Sequence, residues 1–179
     1  MNLCAAKFAC AEIGISETEF NTAIQTFKGA ARRLEKIKEE KETVIYKDFA
    51  HSPSKLEATI KAVKEQFPDR KLIAVIELHT FSSLNKDFIN EYAHTLDLAD
   101  EKVVFVDDFT IAQKGMAPFN EKEIKTAFGS EEIKFFNQPE KIKDYLSTLE
   151  MYQTNMLLMS SGNFGGIDLV TILNKIRIK

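Results

Sequence analysis

Apolar residues recur along this chain with two different periods. Over residues 2–13, Leu3, Ala6, Phe8, Ala9 and Ile13 supply the apolar positions of a helix, and Gly14 is placed to cap its C-terminus. Ser16-Glu17-Thr18-Glu19 is a capping box that opens a second helix reaching about Phe27, with Phe20, Ala23, Ile24 and Phe27 along one face. Lys28-Gly29-Ala30-Ala31 breaks that pattern, so residues 1–30 read as a helical pair set apart from residues 31–179. From Arg32 onward strands and helices alternate. The pattern predicts strands at 33–38, 43–49, 71–77, 102–106, 132–136 and 155–160, and helices at 53–66, 83–98, 121–128, 139–149 and 167–176. Leu72-Ile73-Ala74-Val75-Ile76 and Met156-Leu157-Leu158-Met159 are unbroken apolar runs, as expected of strands buried on both faces of a parallel sheet. The first two strands are joined by the polar stretch Glu39-Glu40-Lys41-Glu42, which suits an antiparallel hairpin at the sheet edge. The predicted fold class is α/β: a doubly wound, mostly parallel, Rossmann-like sheet with an N-terminal edge hairpin and a preceding helical pair.

Composition changes this picture little. With 179 residues and 44% hydrophobic content the chain can build one packed domain with a small appendage. A formal net charge of −3 without a basic run argues against a nucleic-acid partner. Cys4 and Cys10 lie six apart on a predicted helix, in poor geometry for a disulfide and without metal-ligand spacing. No apolar run is long enough for a bilayer and the N-terminus carries no secretory pattern, so a cytoplasmic protein with no membrane partner is expected.

The candidate chemistry lies where strands hand over to helices. In open α/β sheets ligands gather at the carboxyl ends of the strands. Tyr46-Lys47-Asp48-Phe49-Ala50-His51-Ser52-Pro53 puts an acid and an imidazole on such a loop, with Pro53 suited to a first helical turn and Ser52 to a cap. The plain alternative is that Asp48 ends the strand and His51 is incidental. Arg32-Arg33, just before the first strand, offers guanidinium forks for phosphate or carboxylate, or is a solvated pair at a junction. Glu77-Leu78-His79-Thr80-Phe81-Ser82-Ser83 follows the most apolar strand, with Ser82 or Ser83 as a candidate helix cap. Ser160-Ser161-Gly162-Asn163-Phe164-Gly165-Gly166 follows the last strand; its glycines allow close approach, and a helix start suits an anion. A tight turn would use the same glycines, but Phe164 among them favours a binding role. The loop lacks the lysine of a phosphate-cradling motif. His94 falls in a helical pattern and reads as a surface residue. Asp107-Asp108 sits at a strand end with no assigned role.

Three of these segments together resemble a known family. Arg32-Arg33-Leu34-Glu35, Asp48-Phe49-Ala50-His51-Ser52-Pro53 and Met159-Ser160-Ser161-Gly162-Asn163-Phe164-Gly165-Gly166 are similar to the C-terminal part of the Mur ligases, which form amide bonds at the cost of ATP. The last segment resembles the peptidoglycan-recycling branch that joins a murein tripeptide to UDP-N-acetylmuramate; the L-alanine-adding branch is the near alternative. The resemblance implies that residues 1–30 are the helical tail of a central ATPase domain and 31–179 the C-terminal domain. It implies ATP contacts for Arg33, Asp48 and His51, with Asp48 at the ribose hydroxyls. It implies substrate contacts for Ser52, Ser161, Gly162, Asn163, Phe164 and Gly165; His79 joins them as a candidate substrate contact through its place at the carboxyl end of a strand. Magnesium would accompany ATP on the central domain; no residue here is assigned as a metal ligand or a catalytic group. Glu77-Leu78-His79-Thr80-Phe81 stands where the better-known tripeptide ligases carry an arginine segment. No Gly-x-x-x-x-Gly-Lys-[Ser/Thr] is present, so the chain is expected to be part of a longer protein and to form no amide unaided. A reading of another class is a stand-alone receiver-type module with Asp107-Asp108 as an acidic phosphorylation pocket.

Overall fold

The computed structural model describes residues 2–27 and 29–179. They divide into two compact units, Met1–Ala30 and Ala31–Lys179. In the first unit, helices α1 (Asn2–Glu12) and α2 (Glu17–Ile24) are joined through Gly14, which takes φ 86°. The Ser16–Glu19 capping box forms in both directions.

The second unit opens with the hairpin β1 (Glu35–Glu40) and β2 (Thr43–Asp48), antiparallel and bulged between Lys36 and Lys38. Then come α3 (Pro53–Gln66), β3 (Lys71–Glu77), β4 (Glu101–Phe105), α4 (Asp108–Gln113), α5 (Glu121–Phe128), β5 (Lys134–Phe136) and α6 (Pro139–Ser147). The chain ends with β6 (Glu150–Met151), β7 (Thr154–Met159), α7 (Leu169–Leu173) and β8 (Arg177–Ile178). The main sheet has the order β1-β2-β7-β3-β4-β5, parallel except at the hairpin; β6 and β8 form a small parallel pair. The doubly wound α/β class read from the sequence is the observed one.

Strand residues alternate between two cores because successive side chains point to opposite faces. Val44, Tyr46, Leu72, Ala74, Ile76, Val104, Leu157 and Met159 pack with Leu56, Ile60 and Val63 of α3 and Ile124 and Phe128 of α5. Ile45, Ile73, Val75, Val103, Phe105, Met156 and Leu158 pack with Ile142 and Leu146 of α6 and Ile172 and Leu173 of α7. All six residues of β7 are buried, as its apolar run requires at the middle of the sheet.

Several expectations are revised. The first strand begins at Glu35 rather than 33, because Arg32 and Leu34 take positive φ (56° and 46°) in a turn. The helix expected over 83–98 is a series of turns with one 3-10 segment, Ile89–Tyr92. There Asn85 accepts the Asp87 N–H at 2.7 Å, and Thr95 donates to the Tyr92 carbonyl at 2.8 Å. Such local side-chain bonds compete with the helical ladder. His94 is exposed, but at φ 64° in one of these turns rather than on a helix. No helix among the described residues is long and apolar enough to cross a membrane.

Candidate functional site

Chain topology makes a crevice at the carboxyl rim of the sheet. After β2 and β3 the chain turns toward the face covered by α3 and α5, whereas after β7, which lies between them, it turns toward the face covered by α6 and α7. Adjacent strands whose connections leave on opposite faces open a crevice above their ends, the usual ligand position in this architecture. His51, His79 and the Ser160–Gly166 loop all fall around the end of β7.

Asp48 is buried, and its carboxylate is engaged. Oδ2 accepts the Leu34 N–H at 2.6 Å and Oδ1 accepts the Ala50 N–H at 2.7 Å. The Phe49 N–H donates to the Arg32 carbonyl at 2.8 Å. Asp48 therefore staples the arginine turn to the β2–α3 loop and leaves Arg33 exposed beside it. The backbone bonds use part of an acceptor capacity of about four lone pairs.

The His51 ring lies 2.7 Å from the Phe49 carbonyl through Nδ1, which makes Nδ1 the donor and leaves Nε2 as a free acceptor. Its own carbonyl accepts the hydroxyl of Tyr92, a residue only 1% exposed. Burial pushes the Tyr92 phenol up to about 12, against a smaller downward effect of the Ser83 hydroxyl, so it stays a donor at ordinary pH. Ser52 has the extended backbone of an N-cap but makes no capping bond, so its hydroxyl and the first turn of α3 stay available. The capping expected of Ser82 or Ser83 falls instead to Thr80, whose Oγ1 accepts the Ser83 N–H at 3.1 Å.

The glycine-rich loop is built around Glu77, the 1%-exposed last residue of β3. Its carboxylate accepts the Ser160 hydroxyl, the Phe164 N–H at 2.8 Å and the Gly165 N–H at 3.3 Å. The Gly162 N–H donates to Ser160 Oγ at 2.7 Å, and the Gly166 N–H to Asn163 Oδ1 at 3.2 Å. Four N–H groups of the loop are thus spent internally, so the anion cradle suggested by its glycines is already filled. Ser161 Oγ is buried and accepts or donates no hydrogen bond among the described residues. Gly162 is required by close approach: a Cβ there would lie 2.6 Å from His79 Cδ2 and 2.8 Å from Glu77 Oε2.

Phe164 departs from its expected substrate contact. It is 1% exposed at φ 55° and stacks on Phe105, 6.4 Å between centroids, so its ring anchors the loop to the core. Gly165, at φ 65°, sits beneath the Pro139 ring, where a Cβ would lie 2.7 Å from Cγ. Asn163 is exposed at the loop tip, and Ser161, Gly162 and His79 are half-buried. Asp107 is buried as the N-cap of α4, accepting from the Phe109 and Thr110 N–H groups, and Asp108 Oδ2 accepts from Asn137 at 2.7 Å. With Asp107 committed to a cap, the receiver-type reading loses its acidic pocket. Among the described residues no group of three His, Cys, Asp or Glu side chains could hold a metal ion.

The structure therefore brings Asp48, His51, Ser52, His79, Ser161, Gly162 and Asn163 to one rim, with Arg33 tethered beside Asp48. Sequence reasoning assigned nothing to Glu77 or Tyr92. The signal for Glu77 was a charged residue closing an otherwise apolar strand, which is seldom buried without a task.

Residues 32–163 match the family described as Mur ligase, glutamate ligase domain. A UDP-N-acetylmuramate–L-alanine ligase of Caldicellulosiruptor bescii is 36% identical over 115 residues, 64% of this chain and 25% of that protein. The chain thus spans about a quarter of the length of that curated relative. Among solved structures, the UDP-N-acetylmuramate–alanine ligase of Thermotoga maritima superposes with a TM-score of 0.70 at 19% identity, covering 97% of this chain and 36% of that one. A murein peptide ligase of Psychrobacter arcticus superposes with a TM-score of 0.63 at 22% identity, over the same shares. At these identities the two structures show the fold.

Proposed function

The chain belongs to the Mur ligase family through its glutamate ligase domain, and from that premise we propose that residues 31–179 close over the reaction centre of an ATP-dependent amide ligase acting on UDP-N-acetylmuramate. Residues 1–30 would be the helical tail of the central ATPase domain. The observation that carries the reading is the strand-end rim around β7, where the β2–α3 loop with His51 and Ser52 and the Ser160–Gly166 loop stand side by side.

In such a reaction the γ-phosphoryl of ATP passes to the muramate carboxylate, releasing ADP. The incoming amine then attacks the acyl carbon, the C–N bond forms, the C–O bond to phosphate breaks and inorganic phosphate leaves. An acyl phosphate hydrolyses if water reaches it, so a domain that closes over it raises the yield. Arg33, exposed and tethered by Asp48, would meet the nucleotide with a donor fork, and His51 and Ser52 would lie along the same wall. The loop at Ser161–Asn163, whose neighbouring amides are engaged within the chain, would face the amine substrate. Magnesium would neutralise the nucleotide phosphates on the central domain; among the described residues no cluster of three His, Cys, Asp or Glu side chains stands to hold it.

The sequence relative named for L-alanine supports L-alanine as the amine. The Met159–Gly166 segment favours the second reading, a murein tripeptide, which has support from a structural neighbour at the level of fold only. The deciding assay joins this chain in frame to a UDP-sugar domain and a central ATPase domain. Phosphate release is then followed with UDP-N-acetylmuramate, ATP and either amine. Release with L-alanine well above that with tripeptide is expected, while the chain alone forms no amide. Preference for the tripeptide would reverse the assignment, and ligation by the isolated chain would overturn the closing-domain reading.

A further inference from the structure

The Glu77 carboxylate is unusual for its setting. It is 1% exposed, and among the described residues no salt bridge neutralises it. Every partner it has comes from the β7 loop: the Ser160 hydroxyl and the N–H groups of Phe164 and Gly165. These two residues, with Gly166, take successive positive φ values of 55°, 65° and 80°. The Phe164 and Gly165 N–H groups of this turn converge on one carboxylate, the arrangement in which turn backbones of other proteins receive a phosphate or carboxylate ligand. Here the chain supplies its own anion from β3, 83 residues upstream of Ser160.

We infer that Glu77 is the positioning residue of this site: its carboxylate fills the N–H concavity of residues 164–165 and so sets the Ser160–Gly166 loop for the amine substrate. The same side chain sits against Gly162, which in turn lies under His79. One group thereby ties down both ends of the segment that carries Ser161, Gly162 and Asn163. Buried carboxylates held by N–H groups form stronger, shorter bonds than neutral acceptors do, and this one also compensates the left-handed backbone of Phe164, which a β-carbon disfavours. The loop is therefore preformed before any ligand arrives, with four of its amides already engaged within the chain. The effect on the amine rests on the ligase reading above; the internal-anion geometry does not.

Glu77→Gln keeps the shape but replaces one acceptor oxygen by an NH2 group that faces a donor. On this chain, amide hydrogen exchange at Phe164 and Gly165 should quicken by at least about tenfold, with the exchange of β3 and β7 amides unchanged. In Glu77→Ala, added sodium formate should enter the vacated concavity and slow those two amides again, with no effect on the wild type. Unchanged exchange in Glu77→Gln, or a formate effect that is absent from Glu77→Ala or equal in the wild type, overturns the inference. In the three-domain ligase, Glu77→Gln should raise KM for the amine at least about tenfold with kcat and the KM for ATP held. A wild-type ligase that turns over but shows no such split also overturns it. A wild type that forms no amide overturns the ligase reading instead and leaves the exchange result to decide the role of Glu77.

Discussion

Glu101, the first residue of β4, gives a test of the forces holding the amino ends of the strands. Its carboxylate receives Lys71 Nζ at 2.7 Å, Lys134 Nζ at 2.6 Å and the Tyr145 hydroxyl, and its side chain is 13% exposed. Burial pushes the carboxyl up, but hydrogen bonds from Lys134, Lys71 and Tyr145 together outweigh it and hold the group at about 2, against 4.5 for an ordinary glutamate. Because the folded value lies below the unfolded one, the contribution is present above pH 4.5 and is lost as pH falls toward 2. The gap corresponds to about 3 kcal/mol as an upper limit, of which about 1 kcal/mol survives at pH 3. Glu101→Gln keeps the shape and removes the titration. Urea denaturation of both proteins between pH 7 and pH 3 should show the wild type ahead by up to about 3 kcal/mol at pH 7, with the difference shrinking steadily in acid. Other carboxylates titrate alike in both proteins and cancel. A difference that is constant with pH, or that grows in acid, refutes the reasoning.

Three further substitutions probe the rim. Gly162→Ala should destabilise by about 1–3 kcal/mol, because the new Cβ would meet a carboxylate pinned by its own bonds. Gly166→Ala meets nothing within 4 Å and bears only the strain of φ +80°. Thermal midpoints should therefore fall further for the first than for the second, and the opposite order refutes the close-approach argument. Asp48→Ala orphans the N–H groups of Leu34 and Ala50 and should cost about 2–3 kcal/mol. Faster amide exchange at those two residues checks it, and unchanged exchange at both would remove Asp48 as the staple.

The strands that build the sheet were legible because their apolar runs leave no other reading: β3 and β7 fall within a residue or so of their expected limits. Helices α3 and α5 coincide with the expected ranges; Pro53 marked the start of the first, and in the structure Asn120 caps the second. The 83–98 segment misled for a physical reason. Leu84, Phe88, Ile89, Tyr92 and Leu96 do have helical spacing and all face the core, but Thr80, Asn85 and Thr95 bond the backbone locally and break the ladder. The short α4 and the β6–β8 pair carry too few residues to imprint a period. At the site, the strand-end loops were legible from topology alone. The roles of Glu77 and Phe164 were not, because each depends on a partner more than fifty residues away.

The place of β7 in the sheet has a consequence for how the domain is made. It lies between β2 and β3, yet it is the last of the six strands in the chain, and the bond from the Thr154 N–H to Thr43 Oγ1 closes a loop of 111 residues. Until residues 154–159 arrive, β2 and β3 face each other across a gap with their apolar edges unpaired. The order of synthesis therefore leaves the middle of the sheet open while both its sides exist. Such edges invite pairing with other chains, and contacts of this span are slow to form. Folding of the domain is gated by one six-residue strand, and any truncation ahead of it should yield an aggregating chain rather than a smaller domain.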